Sequence, residues 1–290
     1  MKKIQEKKRS IAWRISRAVI VSMIVALAVI MVIPFVWMIS ASLKTEADVM
    51  NIPIDWIPDY FYIDNYKRVL SIGDENAVDY HFFLAYWNSI KVSVTSTVLS
   101  TISAVMAGYS FAKLKFKGSN VLFMLYLSQL MIPGQLTIIP QFVFFSEIGL
   151  TNTHWSLILP SIVTASGAFL FRQAFLNAPD GLREAAKIDG AGEFRIFWQV
   201  MMPLIVPTIA ASATTEFLGH WNSYMGPLIF ISHWKKWTLP LALNQFVGAE
   251  ATEYNLTMAA CCMAVVPVLA IFLTGQKYFL RGITIGAVKG

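Results

Sequence analysis

Uncharged apolar runs alternate with short charged segments along the whole chain, and the length of those runs sets the architecture. Six can cross a hydrocarbon layer of about 30 Å. They are Ala18–Leu43, Val92–Ala112, a run within Gly118–Ser146, another within Ile148–Phe171, one from near Ile196 past Thr215, and Tyr254–Gln276. Lipid offers no partner to a backbone N–H or C=O, so each run must satisfy its own backbone as a helix. The ten-residue alternation of a membrane β-barrel is absent. The pattern predicts an all-α, polytopic membrane protein with six transmembrane helices: a basic segment over 1–17, then one membrane domain over 18–290.

Some runs are interrupted. Pro133-Gly134 and Pro140 fall in the third, Pro160 in the fourth, and Pro203 and Pro207 early in the fifth. Proline removes an i to i−4 bond and kinks a helix, which a membrane tolerates where neighbours or a cavity accept the freed carbonyls. Such breaks suit a transport pathway and also occur in membrane helices generally. The second run carries Ser89, Ser93, Ser96, Ser100, Ser103 and Ala107 on one helix face. That stripe reads either as a polar pathway lining or as a close-packing seam between helices.

Composition agrees with lipid burial: 56% of the 290 residues are apolar and 14% charged, against about a quarter charged in soluble domains. The net charge of +6 does not point to nucleic acid, because the basic residues form short clusters between apolar runs rather than one soluble face. With the N-terminus inside, the inner segments 1–17, 113–117, 172–195 and 277–290 hold 7, 3, 4 and 3 of the 23 Lys and Arg residues. That bias predicts both termini in the cytoplasm. The first run, 26 uncharged residues long, exceeds the roughly 7–15 of a cleavable signal core and reads as a retained anchor. Adjacent Cys261 and Cys262 read as packing residues. His81, His154, His220 and His233 are scattered, so no metal site is expected.

The inner segment leading to Pro203 carries the chemistry. Pro179 and Asp180 suit a helix start and Gly190 a helix stop, which places a helix of about two turns at the membrane surface. Small Ala185 and Ala186 let a foreign surface approach, with Glu184, Lys187 and Asp189 as a charged rim. An ordinary surface helix fits these residues equally well.

Glu184-Ala185-Ala186, three residues, Gly190, nine residues, then Val200-Met201-Met202-Pro203 resembles the EAA loop of ABC-importer permeases: EAA, three residues, Gly, nine residues, Ile-x-Leu-Pro. Val200 and Met202 replace Ile and Leu, mild apolar exchanges. Pro34-Phe-Val-Trp-Met-Ile-Ser-Ala-Ser-Leu-Lys44, Trp221-Asn222-Ser-Tyr-Met-Gly-Pro227-Leu-Ile-Phe and the ending Gly282-Ile-Thr-Ile-Gly-Ala-Val-Lys-Gly290 resemble the maltose-type carbohydrate permeases, in particular the smaller six-span subunit. The likeness covers residues 18–290.

The resemblance implies a type I importer permease fold with a cytoplasmic coupling loop at 172–203. Glu184, Ala185, Ala186, Asp189, Gly190 and Pro203 would couple to a nucleotide-binding subunit, with Glu184 and Gly190 as anchors. The tail ending Ala287-Val288-Lys289-Gly290 would reach toward that interface. The stretch Trp237–Phe246, with Leu239, Leu243, Asn244 and Gln245, would face an extracytoplasmic sugar-binding protein, or else pack on the membrane surface. Implied partners are a different second permease, forming a heterodimer, and two ATPase subunits in a bacterial inner membrane.

No G-x-x-x-x-G-K-[ST] loop occurs, so no cofactor is expected in this chain; ATP and Mg would be held by the ATPase. Sugars are bound by uncharged polar groups and aromatic faces, which nominates Gln129, Gln135, Trp221, Asn222 and Tyr224. Glu216, with His220 one turn on, lies in an apolar region. An intramembrane acid is a functional candidate by default: it would bond a substrate hydroxyl, reach an interface, or serve a rival ion-coupled carrier. An embedded enzyme would need acid, base and nucleophile meeting at one depth, and no such set appears.

Overall fold

The computed structural model describes residues 11–72, 81–246 and 253–287, with 11, 12, 14 and 277–287 as backbone alone. Every regular element among them is helical. The basic residues from Lys2 to Arg9 and the final Val288-Lys289-Gly290 lie outside the described residues.

Four spans run without a sharp bend: Ile15–Ser42, Phe82–Lys113 and Tyr254–Gln276 as continuous helices, and Trp155–Leu176 as a short helix and 3₁₀ turn followed by the helix from Ala165. Two more are broken pairs, Ser119–Met131 with Gly134–Glu147 bent by 98°, and Glu193–Leu204 with Val206–Trp221 bent by 80°. Together they give the six spans the hydropathy pattern predicts, and proline chemistry locates both breaks. Pro133 caps the second half of the first pair. The other bend falls at Ile205, between Pro203 and Pro207, after a π-turn over Phe197–Met201. Pro140 and Pro34 sit inside unbroken helices, and Pro160 lies in a single 3₁₀ turn.

The helices used below are α1 (Ile11–Ser42), α2 (Asp64–Val69), α3 (Phe82–Lys113), α4 (Ser119–Ser128), α5 (Gly134–Glu147), α6 (Ala165–Leu176), α7 (Asp180–Ile188), α8 (Glu193–Ile196), α9 (Val206–Trp221) and α10 (Tyr254–Ala287). Helix α3 starts ten residues before the apolar run that announces it.

The chain forms two compact units, residues 1–73 with 246–263 and residues 74–245 with 264–290. In the first, α1 keeps its apolar side chains from Ile15 to Val36 exposed, a surface that lipid satisfies. Its end is pinned by buried Asn65 of α2, whose amide donates to the carbonyls of Ser42 and Lys44 at 2.9 and 2.7 Å. Asn65 Oδ1 accepts from Asn255 of α10 at 3.0 Å.

The second unit is organised around α3, which packs along much of its length on α6 and on α9. Small residues make that approach possible. A Cβ on Gly108 would stand 2.7 Å from Phe171 Cβ and 2.8 Å from the Arg172 nitrogen. On Gly167 it would meet Ala104 Cβ at 3.0 Å. Buried Ala104 and Ala168 complete the contact. Toward this end the serine stripe of α3 is a packing seam: Ser100 bonds its own helix and Ser103 donates to the Ile162 carbonyl.

Candidate functional site

Helix α7 is closed at both ends by local chemistry. Pro179 is its N-cap and Asp180 its first residue, where proline loses no needed bond and an acid favours the positive end. At the other end the Gly190 N–H donates to the Lys187 carbonyl at 3.0 Å and the Ala191 N–H to the Ala186 carbonyl at 2.9 Å. This paired closure requires a left-handed residue between them, and Gly190 has φ +79°. A Cβ there would meet open space. Backbone angle, not crowding, therefore demands glycine, and a side chain costs about 1–2 kcal/mol.

The two alanines of the loop part company. Ala186 packs inward on the buried cluster that holds Tyr109, Phe175, Ile196 and Phe197. Ala185 faces outward beside Glu184 and Asp189. Leu182, Ala185 and Ile188 recur every three residues along the outward stripe, and Ile188 is 86% exposed. Phe194 of α8 is exposed as well.

Both ends of α7 are tied to one end of α3. The buried Lys113 ammonium donates to the Ala178 carbonyl at 2.9 Å and to Asp180 Oδ1 at 2.5 Å. That contact holds the Asp180 carboxyl below its usual range. Glu193 Oε1 accepts from the Tyr109 hydroxyl at 2.7 Å and from Arg183 Nε at 2.9 Å, and Lys187 Nζ lies 3.3 Å from Oε2. One carboxylate thus joins α3, α7 and α8. Arg172, within α6, donates to the Phe111 carbonyl at 3.3 Å and covers the Phe123 ring.

At the opposite end of α3 lies a cavity of about 260 Å³. Ser89 and Ser93 of α3, Thr137 and Gln141 of α5, Ser156, Ser223 and Thr238 bring polar groups to it; Pro160, Pro227 and Phe230 supply apolar wall. None of its lining residues is Lys, Arg, Asp or Glu. His220 reaches it, while its neighbour Glu216 stands outside the lining, 3.7 Å from His220 Nε2. Among the described residues no group of three His, Cys, Asp or Glu side chains is arranged to hold a metal.

Residues 100–285 match the family described as binding-protein-dependent transport system inner membrane component. The chain belongs to that family. It is 35% identical over 270 residues to the arabinooligosaccharides transport system permease protein AraQ of Halalkalibacterium halodurans, covering 91% of this chain and 93% of that one. It is 31% identical over 262 residues to the lactose transport system permease protein LacG of Rhizobium radiobacter, covering 90% and 92%. In fold it matches a chain from the crystal structure of a bacterial ABC transporter involved in the import of the acidic polysaccharide alginate. The TM-score is 0.82 at 23% identity, over 93% of this chain and 98% of that one. The molecule is a membrane-embedded permease of an ABC importer, a transport subunit, and the ion-coupled carrier built on Glu216 falls away.

Within this permease the sequence-predicted residues fare unequally. Glu184, Ala185, Asp189 and Gly190 are presented on one exposed helix, whereas Ala186 supports it from beneath. Pro203 lies exposed just before the bend at Ile205. Trp221 is enclosed by its own chain: it is 3% exposed, donates to the Ala264 carbonyl at 3.2 Å, and packs on Phe217 and Tyr86. Gln129, Asn222 and Tyr224 are exposed and do not line the cavity, and the Asn222 amide bonds the Leu218 carbonyl of its own helix. Leu239 is buried, with its N–H donated to Ser89 Oγ at 2.7 Å, so its side chain offers nothing to a soluble partner. Leu243 and Gln245 are half-buried and Asn244 exposed.

Lys113, Tyr109, Arg183 and Glu193 escaped sequence reading. They look like ordinary topology charges and a span aromatic, and only the fold brings them together. The cavity had one legible signal, the serine stripe of α3.

Proposed function

We propose that this permease takes up neutral oligosaccharides and that α7 is its coupling helix, docked in a cleft of the nucleotide-binding subunit. The observation that carries the reading is the exposed stripe of Leu182, Ala185 and Ile188, flanked by Glu184 and Asp189. A contiguous apolar strip with a polar rim, on a helix braced by ion pairs, is the form of a docking surface. Both termini and α7 then lie in the cytoplasm, as the distribution of Lys and Arg favours.

Motion of the ATPase reaches the spans through Lys113 and through Tyr109 with Glu193, because these groups bond α7 and α8 to α3. Helix α3 is a continuous rod, and about 24 Å of it separates Tyr109 from Ser93 at 1.5 Å per residue. A different permease completes a heterodimer, two ATPase subunits hold ATP and Mg, and an extracytoplasmic sugar-binding protein delivers substrate. Exposed Asn244 is the residue of its predicted stretch best placed to meet that protein. Carbohydrate is supported by the names of the relatives and by a cavity with hydroxyls and no charge.

The test is reconstitution. The chain, its companion permease, the ATPase and the binding protein are assembled in liposomes, and uptake of lactose and arabinotriose is followed. ATP-dependent uptake that fails when the ATPase is omitted supports the reading. Uptake driven by an ion gradient through the permeases alone contradicts it.

A further inference from the structure

We propose that the cavity at the Ser93 end of α3 is a subsite for one neutral sugar ring, built within this chain alone. The proposal rests on the carbohydrate reading above and names where one ring of the passing substrate is held.

Three polar atoms carry it. Ser93 Oγ, Thr238 Oγ1 and His220 Nε2 are buried without a hydrogen-bond partner, and all three residues line the same cavity. Ser93 and Thr238 are 1% and 4% exposed. Buried polar atoms are nearly always paired, and a cluster of unpaired ones marks a place where something else supplies the partner. The hydroxyls of Ser100, Ser103 and Ser156 instead bond a carbonyl a few residues back. Ser96, Thr97 and Thr101 of α3 are unpaired as well but lie outside the cavity, so what distinguishes Ser93 is that it meets Thr238 and His220 at one cavity wall.

The remaining chemistry selects the ligand class. Ser and Thr hydroxyls and an imidazole can donate and accept, which complements a polyol. A lining without Lys, Arg, Asp or Glu has nothing to neutralise a charged ligand. Phe230, Pro160 and Pro227 offer apolar faces to the C–H side of a ring. The volume of about 260 Å³ is just below the roughly 300–1,000 Å³ of pockets for drug-sized ligands, which suits one ring and not a chain of them. The cavity also adjoins a break: Gly134 and Thr137 begin the helix after the 98° bend, and irregular backbone at membrane depth is tolerated where it lines a cavity.

The test uses the intact importer with Ser93→Cys, turning over ATP and treated with a small methanethiosulfonate; modification of residue 93 is read by peptide mass spectrometry. The probes are glucose, galactose and arabinose, each at about 100 mM, with glucuronate as the charged control. Saturating protection follows 1 + [L]/Kd, so a Kd of about 10 mM slows modification about tenfold. Slowing by at least one neutral sugar and not by glucuronate is the expected result. No slowing by any neutral sugar, equal slowing by glucuronate, or no modification at all overturns the proposal. The first of these leaves a water-filled cavity and the last a sealed one.

Gly134→Leu provides the second arm. Gly134 lies at the cavity wall and a Cβ there meets nothing within 4 Å, so a larger side chain can be added beside the cavity without displacing backbone. It should abolish the protection while the amount of assembled ATPase stays unchanged. Protection that survives Gly134→Leu also overturns the subsite. Liposome uptake is scored separately, so a failed subsite with intact ATP-dependent uptake leaves the carbohydrate reading standing.

Discussion

The two ends of α3 serve opposite purposes by opposite means. At the Lys113 end, charged groups meet in full: Lys113, Asp180, Arg183, Lys187 and Glu193 pair with one another, and the surface they brace is exposed and apolar. At the Ser93 end no charge lines the cavity, and buried hydroxyls stand unpaired. One end is satisfied inside and waits for a protein outside. The other leaves polar groups unsatisfied inside and waits for a ligand. The first must transmit force and is therefore rigid; the second must release what it binds, which weak neutral hydrogen bonds of about 0.5–1.5 kcal/mol net allow.

Substitutions can break this contrast. The largest effect is expected for Ile188→Asp, which places a charge in the apolar stripe: a lost anchor of about 2 kcal/mol or more lowers ATPase affinity some thirtyfold, measured by titration of the ATPase onto permease in nanodiscs. Membrane insertion should be unchanged, because Ile188 touches solvent and not the core. Lys113→Met removes the ammonium's bonds to the Ala178 carbonyl and to Asp180. It should leave α7 present but loosely tied, so that ATP hydrolysis persists while sugar uptake per ATP falls.

Gly108→Ala is expected to cost about 1–3 kcal/mol through overpacking against the Phe171 and Arg172 backbone, read as a lower midpoint in thermal unfolding of the detergent-solubilised complex. Gly190→Val costs about 1–2 kcal/mol of α7 closure, and Gly190→Asn less, because asparagine accepts the left-handed region. If both variants weaken ATPase binding equally, glycine is needed for close approach of the partner rather than for its φ. The smallest change is Tyr109→Phe, about 1 kcal/mol, since Arg183 still holds Glu193; hydrogen exchange in residues 180–193 should report it.

What the sequence discloses differs between the same two ends. Span number, both helix breaks and the α7 boundaries follow from apolar length, proline position and glycine closure, all local properties. Of the exposed strip only Ala185 was legible: the sequence pairs it with Ala186, which packs inward, and gives no sign that Leu182 and Ile188 face outward. Trp221 and Leu239 misled for the complementary reason: an aromatic near an interface and a leucine in an outer segment look accessible until the fold buries them against Phe217, Tyr86 and Ser89. The cavity gathers Ser93, Thr137, Ser156, His220 and Thr238 from five separate stretches, so no spacing announces it. The Glu193 junction is likewise invisible, because Tyr109 lies 84 positions away from the carboxylate it bonds.

The most direct test of the central claim is cysteine cross-linking from α7 in the assembled importer. Ala185→Cys, in the exposed stripe, should cross-link to the ATPase through a short bismaleimide in high yield, and Asn120→Cys, in the first turn of α4, should not. Equal yields from both positions, or none from residue 185 in a complex that still hydrolyses ATP, would contradict α7 as the coupling helix.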